Sequence, residues 1–276
     1  MLRHGRKLAR TCLANRGLVF ALLLASIIVV RYNQAGFLRS LPAGTQPGAI
    51  DFLQFDLGTS GQLSIAWLLS PACSMTLATL VFSSEAHEMA ITGQGSLRRL
   101  WRSEAADATL VAVLVALAVF AISFASGVAS SGLQASGSED VYLLMTGQEP
   151  GDGAHPVVVA VACLAHLAGT TLFATVVYAG ARRLTGSSAG AFILVILLFL
   201  PAVANGNSFV SDILRNLPGI ALVENPIHAF VSFQGVEWQR WVAGGESPRL
   251  WFLPLASAVM VLAVHTLSDA REPWRR

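Results

Sequence analysis

Three stretches of this chain, Leu63–Phe82, Ala108–Val128 and Val157–Ala181, contain no Asp, Glu, Lys or Arg. Each is about as long as the roughly 20 helical residues that cross a hydrocarbon core about 30 Å thick. At that depth no water competes for backbone N–H and C=O groups, so a crossing segment satisfies them internally, as a helix. Three shorter charge-free runs are Gly17–Val30, Ala189–Ala204 and Leu250–Leu267. They reach spanning length by recruiting flanking residues or by letting Arg16 and Arg31 snorkel. The pattern predicts an all-α, polytopic membrane protein with about six transmembrane helices in a single transmembrane domain, 1–276. Composition points the same way. Of the 276 residues 54% are hydrophobic and only 12% charged, roughly half the charged share of a soluble domain. A soluble fold of this size would have to hide that apolar surface in one core.

The basic residues set the expected orientation. Arg3, Arg6, Lys7, Arg10 and Arg16 precede the first run. Arg98, Arg99 and Arg102 follow the second, Arg182 and Arg183 the fourth, and Arg271, Arg275 and Arg276 the sixth. The alternate loops carry Arg31, Arg39, Arg215, Arg240 and Arg249 over much longer lengths. Loop 129–156 has no Lys or Arg, and holds Glu139, Asp140, Glu149 and Asp152. Cytoplasmic loops retain an excess of Lys and Arg. The bias therefore predicts a multi-pass protein of the cell (plasma or inner) membrane with both termini cytoplasmic. The first run has the basic flank and apolar core of a signal peptide, but Gln34-Ala35-Gly36 is a poor cleavage site. It is expected to stay as a span.

Four segments outside the runs have character of their own. Residues 1–16 are expected to form an amphipathic cytoplasmic helix, with Arg3, Arg6, Lys7 and Arg10 on one face and Leu2, Leu8, Cys12 and Leu13 on the other. Such a helix lies in the headgroup layer. Segment 83–107 reads as helix, glycine break, helix: Ser83 and Ser84 cap a short helix bearing Glu85 and Glu88, Gly93 and Gly95 end it, and a second begins near Ser96. The plain reading of this segment is a solvated connector; the functional one is a docking element for a cytoplasmic partner. Loop 129–156 is rich in Gly, Ser and acid. Segment 205–249 is too polar to span and suggests two short outer or re-entrant helices, broken at Pro218 and Pro226. Trp238, Trp241 and Trp251 follow as an interfacial aromatic belt.

Several chemistries are excluded or disfavoured. The only lysine is Lys7, so no P-loop lysine exists and the chain is no standard P-loop ATPase by itself. Glu85, His87 and Glu88 form EAHE rather than HExxH, and no metal site is expected. Cys12, Cys73 and Cys163 have no metal or redox spacing and read as small apolar filler. Net charge is +2, which gives no reason to expect nucleic acid. His166 and His265 lie inside runs, where an ionisable group is a functional candidate; neither has an acidic partner at helical spacing. Ion-coupled carriers bury carboxylates in their spans, and none of the six runs holds one. Pro71, with Ser70, Ser74, Thr76 and Thr79 nearby, permits a kink. Gly169, Thr170, Thr171, Thr175 and Gly180 give the fourth run a small polar face, suited to close helix packing or to a translocation path that would also include His166.

With these parts in order, the chain resembles the membrane (permease) subunit of a type-2 ATP-binding-cassette (ABC) exporter. The likeness rests on the succession of amphipathic helix, six spans and paired outer helices. It also rests on Phe82-Ser83-Ser84-Glu85, Thr92-Gly93, Leu97-Arg98-Arg99 and Arg102, which are similar to that family's coupling loop. Where the family often has a proline, the turn here reads Gly93-Gln94-Gly95. The resemblance implies two permease subunits, the same or related chains, and two cytoplasmic ATPase subunits that bind ATP and Mg. It implies no cofactor in this chain. Glu85, His87, Glu88 and Met89 would form the partner-facing turn, and Arg98, Arg99 and Arg102 would meet the ATPase or lipid phosphate. The cargo would be a small molecule, peptide or lipid. Arginine in place of lysine, with abundant alanine, suggests a GC-rich bacterial gene. Two other readings stay open: a partnerless channel, secondary carrier or scaffold, and a membrane-embedded enzyme using His166 or His265.

Overall fold

The computed structural model describes residues 2–58, 65–92, 97–132 and 156–205. Segment 206–276, with His265, the outer segment and the last apolar run, lies outside them, as do 93–96 and 133–155. The described residues form helices α1 (Leu2–Ala14), α2 (Arg16–Ser40), α3 (Ala49–Gly58), α4 (Ser70–Thr92), α5 (Leu97–Ser131), α6 (Pro156–Thr185) and α7 (Ser188–Asn205), with a π-helical turn at Ile65–Leu69 and no strand. Among the described residues three helices are long and apolar enough to cross a membrane: Arg16–Ser40, Ser103–Ser131 and Val159–Arg182. A shorter apolar helical stretch covers Ser70–Phe82.

Helix ends follow local chemistry. Gly132 (φ 69°) and Gly186 (φ 65°) stop α5 and α6 in a left-handed conformation that costs glycine nothing. One residue later the Ser187 hydroxyl accepts from Gly190 N–H at 3.2 Å and caps α7. The π turn just before Pro71 widens the helix where proline withholds a donor.

Two helix boundaries differ from the sequence reading, and so does the docking of α1. Helix α2 runs ten residues past Val30, so Arg31 and Arg39 are helical rather than in a loop. Helix α4 runs unbroken from Ser70 to Thr92, so Ser83 and Ser84 cap nothing: no helix-breaking residue separates them from the apolar run. Helix α1 docks through part of the expected apolar face together with Lys7 from the basic one. Leu8 is buried and Cys12 half-buried, while Leu13 is 74% exposed and Lys7 turns inward to an acid on α5.

Helix α3 has no counterpart in the sequence reading. Its first turn opens with a helical bond from Phe52 N–H to Gly48 O at 3.3 Å, and the Asp51 carboxylate supplies the acidic half of a capping box, its Oδ2 accepting from Gly48 N–H at 2.7 Å. Phe52, Leu53 and Leu57 are fully buried, and the helix packs on α2, α5 and α6. Phe37 of α2 stacks on Phe55 at 4.5 Å between ring centroids and meets Phe52 edge-on at 5.6 Å. On α5, Gly127 makes the approach possible: a Cβ there would lie 3.1 Å from Phe52 Cβ and 3.2 Å from Ala49 O. Because one obstacle is backbone, Gly127→Ala must push α3 outward. We expect a loss of about 1–3 kcal/mol, read as a lower midpoint of thermal denaturation in detergent micelles. An unchanged midpoint would show that α3 is not held that closely.

Candidate functional site

A fully buried polar cluster gathers around Asp56. Asp56 follows Leu53 by three residues and Phe52 by four, so α3 buries it with them, at 0% exposure. Its Oδ2 accepts from Gln34 Nε2 of α2 at 2.7 Å and from the Ser123 hydroxyl of α5 at 2.6 Å. Gln34 Nε2 also donates to Ser123 O at 3.1 Å, and Gln34 Oε1 accepts from the Ser126 hydroxyl at 2.7 Å. Arg31 closes the chain toward the surface, donating to the Ser126 and Ser130 hydroxyls at 3.2 and 2.8 Å. The other carboxyl oxygen, Oδ1, has no hydrogen-bond partner among the described residues. Both donors to Oδ2 are neutral. Burial pushes the carboxyl up to about 7, although the Ser123 and Gln34 hydrogen bonds pull the other way. Holding it ionised in place therefore costs roughly 4 kcal/mol.

The charge-free runs thus gave an incomplete account of buried acid. The runs carry no carboxylate, but a short helix outside them inserts one. The available signal was an acid three and four residues from Leu53 and Phe52, opposite a span whose buried stripe, Ser26, Val30, Gln34 and Phe37, contains an amide.

A second polar feature joins α4 to α6. Hydroxyls of Ser70 and Thr171 meet at 2.6 Å, those of Ser74 and Thr175 at 2.7 Å, and Thr79 pairs with Tyr178. Thr170, Thr171 and Thr175 also donate to backbone carbonyls four residues back. All three threonines are fully buried and His166 is 3% exposed. Of the residues considered for a translocation path, Thr171 and Thr175 bond across the seam, Thr170 donates only to the backbone of its own helix, and His166 is buried.

The opposite end of α5 holds the charges. His4 Nδ1 and Lys7 Nζ lie 2.7 and 2.8 Å from the two carboxylate oxygens of Asp107, which is 1% exposed. Glu104 pairs with Arg182 at 3.3 Å, and the Arg182 guanidinium sits 5.4 Å over the Phe82 ring. These contacts tie α1 and α6 to the base of α5. Beside them is an apolar cavity of about 350 Å³ between α1, α2, α4 and α5, lined by Leu8, Cys12, Leu22, Leu77 and Val115 among others.

Glu85, His87, Glu88 and Met89 lie on the last turns of α4, and Arg98, Arg99 and Arg102 on the first turns of α5. The side chains of 83–102 are outside the described residues. Among the described residues no group of three or more His, Cys, Asp or Glu is placed to hold a metal ion.

Two measurements test these contacts. Asp107→Asn should leave Lys7 with a weaker partner and loosen α1, at roughly 1–3 kcal/mol. Amide exchange should speed up in 2–14 and stay slow in α5; unchanged protection of α1 would show that the ion pairs do not hold it. A double-mutant cycle of Ser70→Ala with Thr171→Val should give a coupling of about 0.6–1.7 kcal/mol, whereas additivity would mean the seam hydroxyls act alone.

Comparison with known protein families, with curated proteins and with solved structures yields no match to this chain.

Proposed function

We propose that this chain is the permease subunit of an ABC exporter, and that a separate ATPase powers it. Helices α2, α5 and α6 supply three spans. The stretch from Ile65 to Phe82, α7 and the run Leu250–Leu267 supply the others, with both termini on the cytoplasmic side. The observation that carries the reading is the helical hairpin of α4 and α5. Helix α4 continues ten residues, about 15 Å, past the apolar stretch that ends at Phe82. Helix α5 starts at Leu97, before its apolar segment begins at Ser103. Two helices extended in this way form a stiff projection at the end of the bundle where α1 docks, bearing Glu85, His87, Glu88 and Met89 on one arm and Arg98, Arg99 and Arg102 on the other. A stiff projection transmits a push from a partner; a floppy tether does not.

Asp56 supports a second reading, a carrier that needs no ATPase, because it supplies the buried carboxylate that the runs lack. Affinity purification of the tagged chain from native membranes in mild detergent separates the two. The permease reading expects a P-loop ATPase at one copy per copy of this chain, and expects Glu85→Arg with Glu88→Arg to abolish both its retention and its stimulated ATP hydrolysis. A preparation free of any ATPase, or one indifferent to the charge reversal, favours the carrier.

A further inference from the structure

We propose that Asp56 is a proton-binding site: α3 docks between α2, α5 and α6 with the Asp56 carboxyl protonated, and loss of that proton releases α3 from the bundle. The proposal stands under either reading of function.

Geometry carries it. The Asp56 carboxyl is fully buried, yet it belongs to a ten-residue helix that no span contains. Its two donors come from two different helices and both converge on Oδ2, leaving Oδ1 bare among the described residues. A charged oxygen without a partner in an apolar seam is expensive, and a neutral one much less so. On deprotonation the O–H bond at Oδ1 breaks, its electron pair stays on the carboxylate, and the proton passes to water at the α3 end. The carboxylate then recovers full hydration only if α3 moves outward.

Other ionisable groups on the surrounding elements do not supply a counter-charge. On α2, Arg31 is engaged with Ser126 and Ser130, while Tyr32 and Arg39 point to the exposed side. The adjoining part of α5 offers only serines. The π turn has no ionisable residue. Helix α6 brings Cys163 and His166, both buried. On α3 itself, Asp51 accepts from the Gly48 N–H at the cap.

The sign of the pH effect is fixed by these facts. The docked carboxyl titrates at about 7, above its ordinary value of 3.8. Docking is therefore strongest at acid pH. It weakens by about tenfold per pH unit between those two values and levels off above about 7.

Cys163 is a built-in reporter. Its Sγ lies 4.0 Å from Leu53 O, beneath α3, so release of α3 uncovers it. The full chain in nanodiscs, carrying Cys12→Ser and Cys73→Ala, is labelled with a maleimide across a pH series. The same series with Asp56→Asn added provides the reference, since that amide mimics the protonated acid and the intrinsic thiol reactivity cancels in the ratio. The expected ratio of labelling rates, the chain with Asp56 over the Asp56→Asn reference, climbs about tenfold per pH unit and flattens near pH 7. Ser123→Ala removes a hydrogen bond that favours the ionised form, so it should move the flattening to higher pH. A purely structural Ser123 would change labelling equally at every pH. If Asp56→Asn fails to insert, the ratio of Ser123→Ala to the parent chain serves in its place, and it must vary with pH. A pH-independent ratio in either comparison overturns the proposal.

Discussion

Two hydrogen bonds on one carboxyl oxygen, from Gln34 and Ser123 to Asp56, fix how α2, α3 and α5 meet. Water does not readily replace either donor, because Asp56 is fully buried and Gln34 and Ser123 are nearly so. A donor lost there leaves a buried polar atom unmatched, at about 1–3 kcal/mol. The geometry therefore tolerates little rotation of any of the three helices. Gln34 is itself held by Ser126, and Ser126 by Arg31 at the exposed edge. The network grades from a carboxyl oxygen in the interior, bare among the described residues, to an exposed guanidinium at the surface, and each bond orients the next.

The distribution of charge along α5 explains why the bundle suits a bilayer. Asp107 and Ser126, which mark its two polar ends, are separated by about 28 Å of helix, close to the thickness of a hydrocarbon core. Between these levels α4 and α6 adhere through paired hydroxyls and close-packed small residues rather than through ions. Lipid tails are as apolar as leucine, so helices gain little from hydrophobic burial against each other in a membrane. Hydroxyl pairs that also return to their own backbone, as Thr171 and Thr175 do, add contact without introducing a charge.

How much of this the sequence reveals depends on whether a feature is continuous. The candidate spans α5 and α6 are legible because excluding charge over about 20 residues is a strong, additive signal, and α2 is legible as a shorter run of the same kind. Their ends are less so: Arg31 ends the charge-free run at Val30 but not the helix, and α4 passes Phe82 into polar sequence without a helix breaker. Helix α3 was hidden for another reason. Ten residues containing Asp51 and Asp56 look like an outer loop, and only contact with α5 at Gly127 and with Gln34 makes them part of the core. The inward turn of Lys7 was equally nonlocal, since its partner Asp107 lies 100 residues away. Arg6 and Arg10 beside it are exposed and obey the amphipathic pattern that Lys7 breaks.

One helix connects the two ends. Helix α5 is continuous from Leu97 to Ser131, with Asp107 bound to α1 near its start and Ser123 bound to α3 near its finish. A rigid helix shifted along its axis strains both attachments together. Helix α4 differs, because the π turn at Ile65–Leu69 interrupts regular α-helical bonding below Pro71 and gives it a point of compliance. A force applied to the hairpin of α4 and α5 would thus divide unequally. The π turn absorbs part of it along α4, while α5 delivers the rest to the Ser123–Asp56 contact. Loss of the Asp56 proton leaves a buried charge whose desolvation outweighs the strengthened Ser123 hydrogen bond, so displacement of α5 and deprotonation of Asp56 favour the same outward movement of α3.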